Sequence, residues 1–298
     1  MKKASLFFTA AVSVLVIAAC DNAPASGDLM TETFNYADSS AYARLTTTVE
    51  LPVQGQGKAA EMIRAKLLDV LDDQLCHVVR DDRRAFPAFK GERKDAGEVI
   101  AYCHGKAFEV FAKKAQEDHE DYGEDMPEYE YDCSIKKAEE KDEYVIFESS
   151  DYYFAGGVHG GVIGRGPMTF NKTDGILVEQ FLVPSCLNDI QPLIRNGLRE
   201  YFSEGGQKIS NRELDKWLML ESNVIPFPAM SLRPSDEGLV FTYGQYEIAP
   251  YVAGMPSFTI PYSDIAHYLT PEAKAILGGG QPEQSADMAL AGQEDQQE

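Results

Sequence analysis

Basic residues are scarce in this chain: 27 lysines and arginines stand against 48 acids, for a formal charge of −21. Phosphate backbones are held by clustered Lys and Arg, so nucleic acid is excluded as a partner class. Long apolar runs are equally scarce. After the run over residues 6–19 no second one is long enough to span a bilayer. The five histidines, His77, His104, His119, His159 and His267, never pair at a chelating spacing. Neither Gly-x-x-x-x-Gly-Lys-Ser/Thr nor Gly-x-Ser-x-Gly occurs, which removes a phosphate loop and a nucleophile elbow. No Cys-x-x-Cys is present, and Cys76-His77 and Cys103-His104 make poor chelates because adjacent helical side chains diverge by about 100°. The expectation is no metal, no cofactor and no assembled catalytic set.

What is present begins at the N-terminus. Lys2 and Lys3 precede the apolar run, which ends Ala18-Ala19-Cys20. That is the pattern of a secretory signal peptide over residues 1–19, with small residues at the cut. A cysteine directly after them reads as a lipoprotein signal, with Cys20 lipidated at thiol and amine by palmitate-class chains. Several chains at about 0.8 kcal/mol per buried methylene give stable anchoring. Loss of Lys2 and Lys3 on cleavage takes the charge from −21 to −23. The expected location is the bacterial cell envelope, facing the periplasm or the cell surface. Strong acidity favours solubility, and outside the cell it also suits a cationic protein partner. Cys76, Cys103, Cys133 and Cys186 remain beyond the anchor, an even number that suggests two disulfides in an oxidising compartment. Three pairings are open, and the two consecutive helices that carry Cys76 and Cys103 favour that one.

Periodicity organises the rest. Residues 20–35 are rich in Ala, Ser, Asn and Asp and read as a tether. Alternation predicts a strand over 41–53, and helical stripes predict helices over 58–79 and 96–115. Residues 117–130 carry dense acid, including Glu120, Asp121, Glu124 and Asp125, broken by Gly123 and Pro127. They read as a charged loop and as the best docking patch of the first half; a calcium-loop pattern is missing. Strands are expected over 129–136 and 143–154. A hairpin is expected from 167–171 to 176–181 across Asp174-Gly175. Helices follow over 188–202, capped by Asn188 or Asp189, and over 212–220. Strands over 239–246 and 257–260 come next, then short helices over 262–269 and 271–277. Residues 278–298 are expected to be a disordered tail.

A glycine-rich run, Ala155-Gly156-Gly157-Val158-His159-Gly160-Gly161, stands out and reads first as a wide turn between strands. The segment from Tyr152 to Gly160 resembles the Tyr-x-Gly-Gly-Ala-His signature of the RsiV-type extracellular domain, with Val158 in place of Ala. Met168-Thr169-Phe170-Asn171, Asp174-Gly175 and Phe181-Leu182 resemble that family's hairpin and following turn. The run from Phe241 to Tyr251, Gly254 and Ile260-Pro261-Tyr262 resemble its C-terminal signature. Residues 36–142 are similar, more weakly, to a PdaC-type partner domain, and residues 143–277 form the RsiV-like part. The resemblance implies an α+β fold, an antiparallel sheet packed by helices. In that family some members are anti-sigma factors whose outer domain binds lysozyme, and others sit beside a peptidoglycan deacetylase. Cleavage at Cys20 would leave no cytoplasmic segment, and the deacetylase His-x-x-x-His is missing. The expected role is therefore an envelope-anchored, non-enzymatic binding module for lysozyme or another cationic protein. A peptidoglycan-modifying enzyme, or an accessory domain of one, is the alternative. Tyr152, Gly156, Gly157, His159 and Asp174 are the candidate binding residues near the turn; Tyr152, His159 and Asp174 would be the polar cluster of an enzyme.

Overall fold

The computed structural model describes residues 27–79, 89–91, 93, 95–123, 126–156, 161–203 and 207–278. Its centre is a five-stranded sheet in chain order: β1 (Thr31–Ser39), β2 (Ala43–Pro52), β3 (Tyr129–Glu140), β4 (Tyr144–Phe154) and β5 (Val162–Asn171). The fold is α+β, as the sequence implies, but the sheet is mixed. β2 and β3 run parallel, because the chain between them crosses over through α1 (Lys58–Cys76) and α2 (Ala96–Tyr122). The other three pairings are antiparallel.

Period-two alternation on β2 explains the layering. Leu45, Thr47, Val49 and Leu51 are fully buried against the two helices. Arg44, Thr46, Thr48 and Glu50 point to the opposite, polar face, where Thr48 donates to Asn35 at 3.1 Å and Thr46 bonds Asp132. The expected tether ends earlier than residue 35: β1 starts at Thr31 and pairs with β2 along its whole length. Only Phe34 of its nine residues is buried, and Thr, Glu, Asn, Asp and Ser fill most of the other positions, so partner and register, not a hydrophobic pattern, define that strand.

β4 joins two cores. Val145 and Phe147 belong to the helix-side core; Tyr144 and Ile146, on the other face, belong to a second core built by the C-terminal part. That part contains α3 (Gln191–Tyr201), α4 (Asn211–Trp217), and a three-stranded sheet of β6 (Arg233–Pro234), β7 (Gly238–Thr242) and β8 (Ser257–Pro261), in that order. Two short helices follow, α5 (Tyr262–Ile265) and α6 (Pro271–Leu277). Arg233 reaches Glu139 at 3.0 Å and Glu148 at 3.7 Å, and Lys141 reaches Asp236 at 3.0 Å across the seam.

Several local expectations change. The acidic stretch starts as helix, not loop: α2 continues through Glu120 and Asp121 to Tyr122. Lys113 and Lys114 pair with Glu117 and Asp118 one turn on, Tyr129 donates to Asp118 at 2.6 Å, and His119 stacks on Tyr42 at 3.9 Å. Gly123, at φ 95°, ends the helix. Glu124 and Asp125 lie outside the described residues. The Asp174-Gly175 turn forms, but beyond it only one bridge, Phe170 to Leu177, continues the pairing. α3 starts at Gln191 with Ile190 at its N-cap, and neither Asn188 nor Asp189 caps it.

The cysteine expectation is corrected. All four are buried, and none is in a disulfide. Cys76 and Cys103 Sγ lie 3.5 and 3.4 Å from the same oxygen, Asp72 Oδ1, which accepts from both. Cys133 lies in the helix-side core and Cys186 in the C-terminal core, so the complementary pair is split between cores. Burial, then the Asp72 charge, pushes the Cys103 thiol up; burial, then Asp151, does the same to Cys133. Both are held as the unreactive protonated form.

Candidate functional site

The sheet brings some of the candidate residues, Tyr152 and Gly156, to one end. Tyr152 sits on β4 opposite Asp132, on the polar face. Its ring covers Gly161, where a built Cβ would meet ring carbon at 2.0 Å, so only glycine admits this packing. Gly156 takes φ 81° beside Met126 and Pro127, the segment that follows α2. Glu120 and Asp121 are exposed on the last turn of α2, leading into that segment. Gly157 and His159 lie outside the described residues, as does Cys20.

Asp174 is elsewhere. Its Oδ1 accepts from the Ile176 amide at 2.9 Å, and Gly175, at φ 76°, packs on the α1 end, where a Cβ would meet Ala59 O at 2.3 Å. β4 separates the two places: Tyr144 pairs with Asn171 at one end and Tyr152 lies near the other. Eight residues of strand span about 26 Å. Tyr152 and Asp174 therefore form no common cluster, and Asp174 is a turn residue.

Tyr251 brings the C-terminal signature to the glycine-rich run. Its hydroxyl donates to the Gly161 carbonyl at 3.0 Å. Around it the surface is apolar and open: Val252 is 81% exposed and Tyr246 50%, with the Tyr246 ring 5.6 Å from that of Tyr251. Tyr201, at the end of α3, donates to Ala253 O at 2.8 Å and extends the patch. Tyr246 has φ 63°, unique among the described non-glycine residues. Glu247 holds that conformation: its two oxygens accept from the Ala229 and Gly244 amides, each at 2.6 Å. A bulky residue held in the left-handed region costs of order 1–3 kcal/mol, and such strain concentrates at functional positions.

A second polar constellation is buried. His104 on α2 lies with Nε2 3.3 Å from Asp38 Oδ2 and Nδ1 2.9 Å from Thr47 Oγ1. Burial pulls the imidazole down from its usual value, opposed by the Asp38 carboxylate. The order Asp-His-hydroxyl suits proton transfer, but Thr47 is 0% and His104 2% exposed, so no substrate reaches the hydroxyl. The set ties α2 to β1 and β2. Among the described residues no group of three or more His, Cys, Asp or Glu suits a metal, and no helix is long and apolar enough to cross a membrane.

Residues 179–263 match the family model DUF3298, a protein family of unknown function. That segment holds Tyr201, Tyr246, Glu247, Tyr251 and Val252, most of the open patch. Two solved structures share the fold. A DUF3298 family member from Bacteroides fragilis NCTC 9343 aligns with TM-score 0.64 at 14% identity, over 85% of this chain and 98% of its own. A DUF3298 family protein from Pseudomonas aeruginosa PAO1 aligns with TM-score 0.54 at 15% identity, over 83% and 96%. At such identities the likeness is one of fold. No curated protein matches the chain. Outside the DUF3298 segment lie the glycine-rich run and the acidic end of α2, so the candidate surface is composed from both parts of the chain.

Sequence reasoning singled out the glycine-rich run but missed Tyr246, Glu247 and Tyr201 as site residues. The run from Phe241 to Tyr251 carried the only available signal, an aromatic-rich turn with Gly244. For His104 there was none, because its partner Asp38 is 66 positions away and on another element.

Proposed function

We propose that this chain is an envelope-anchored, non-enzymatic binding module whose ligand is a cationic protein, lysozyme being the first candidate. The observation that carries the reading is the open aromatic patch at the Tyr251–Gly161 junction, with strained Tyr246 presented at its edge. Exposed aromatics at a rigid turn provide contact area at low entropic cost. The charge of −21, together with exposed Glu120 and Asp121, supplies the complementary field. Such a field accelerates encounter with a basic partner and is screened by salt. Lipidation at Cys20 belongs to the same proposal, with the membrane as the anchor's partner and the envelope as the location. The alternative of a peptidoglycan-modifying enzyme gains nothing from geometry, since about 26 Å of β4 separates Tyr152 from the strand end beside the Asp174 turn.

Calorimetric titration of the full chain with lysozyme at low and at physiological salt tests the reading. Saturable binding that weakens with salt is expected. Absence of saturable binding at low salt removes lysozyme, and binding indifferent to salt removes the electrostatic account.

A further inference from the structure

β8 is the last strand of the C-terminal sheet, and among the described residues nothing pairs with its outer edge. A groove of about 410 Å³ runs along it. Every residue from Ser257 to Pro261 lines this groove. Successive strand residues face opposite sides of a sheet, so lining by all five places the groove at the strand's edge and not over one face. The opposite wall is a single stripe of α3 at helical spacing, from Leu193 through Asn196 and Glu200 to Tyr201. Its floor is set by Gly197, where a Cβ would meet the Phe258 ring at 2.1 Å; the missing side chain seats Phe258 beneath the helix. The walls thus combine the outward backbone groups of β8, which have no strand partner among the described residues, with carboxylates from Glu200 on the helix and Asp264 beyond the strand.

We infer that this groove receives an extended segment of a partner protein bearing lysine or arginine, which adds to β8 as a fourth strand. Strand addition draws affinity from main-chain hydrogen bonds and specificity from alternate side chains. Alternate side chains of the guest would meet Glu200 and Asp264, so charge complementarity selects a basic guest. The wall already displays that preference: the chain's own Lys208 ammonium lies 3.0 Å from Asn196 Oδ1 and 3.5 Å from Glu200 Oε2. The chain's own tail over 279–298 is the wrong occupant, with five carboxylates and no Lys or Arg. A second copy set β8 against β8 would bring like carboxylates together. Tyr201 lines the groove and also bonds Ala253 beside the open patch, so one partner could occupy both.

This inference rests on the binding-module reading and refines it to a strand-pairing site. The probe is a synthetic eight-residue peptide alternating valine and lysine, compared with its valine–glutamate counterpart and with a copy N-methylated at alternate residues. The readouts are binding to the full chain by fluorescence anisotropy and exchange protection of the β8 amides. The lysine peptide should bind, slow β8 exchange, and lose about tenfold or more in affinity to Glu200→Gln/Asp264→Asn. N-methylation should abolish binding. Equal binding of the glutamate peptide, binding that survives N-methylation, or no binding by any peptide overturns the inference; so does β8 protection that grows with protein concentration alone, which would mean self-pairing. Lysozyme binding retained by Glu200→Gln/Asp264→Asn but lost in Tyr246→Asn would sink the groove and leave the binding module standing.

Discussion

Tyr246 is the residue on which the functional account turns. Asparagine tolerates the left-handed conformation at φ 63° better than tyrosine does. Tyr246→Asn should leave thermal stability unchanged or raise it by up to about 1 kcal/mol, while weakening ligand binding. Denaturant unfolding and calorimetry on the same variant separate the two effects; a variant that loses both would make Tyr246 a packing residue. His104 sets an acid sensitivity. Its imidazole is held below its usual value chiefly by burial, with Asp38 pulling the other way. Between the folded value and the unfolded value of about 6.5, the unfolded state binds more protons. The neutral ring's contribution is therefore full above about 6.5 and is lost as pH falls below it. His104→Gln should flatten that acid limb in urea unfolding followed from neutral pH downward, whatever it does to stability at neutral pH; an unchanged limb would assign the sensitivity to other groups.

Among the elements, α2 carries an electrostatic conflict. Glu117, Asp118, Glu120 and Asp121 crowd its last turns, where the helix dipole disfavours anions. Lys113, Lys114 and Tyr129 offset the first two; Glu120 and Asp121 stay exposed. Neutralising both, as Glu120→Gln/Asp121→Asn, should stabilise the fold by about 0.3–1 kcal/mol and reduce the salt dependence of ligand binding. Loss of stability with unchanged salt dependence would contradict both halves. The α3–β8 packing makes a sharper demand. Gly197→Ala drives a methyl into the Phe258 ring and should cost about 1–3 kcal/mol in unfolding free energy. α1 and β2, with their strong periodicity, and the apolar segments of β4 and β8 were legible in the sequence nearly to their ends. β1 and the last turns of α2 were not, because what decides them is distant: β2's hydrogen-bonding edge for one, Tyr129 and Tyr42 for the other. The direction of β3 was equally hidden, since periodicity says which face is buried and nothing about which way a partner runs.

At the scale of the whole molecule, two cores share β4, and the surface built at the Tyr251–Gly161 bond draws on both parts of the chain. The sequence exposed the pieces of that surface, the glycine-rich run, the acidic stretch and the aromatic C-terminal signature, but not their assembly. It also grouped Asp174 with Tyr152, where the strand between them sets them apart. Acidity and open aromatics support the proposed role, in which a lipid anchor at Cys20 would hold a basic protein at the envelope. The titration of the full chain with lysozyme across ionic strength tests that role most directly. The account predicts a saturable complex at low salt whose affinity falls steadily as salt rises; no saturable complex at low salt, or one insensitive to salt, would contradict it.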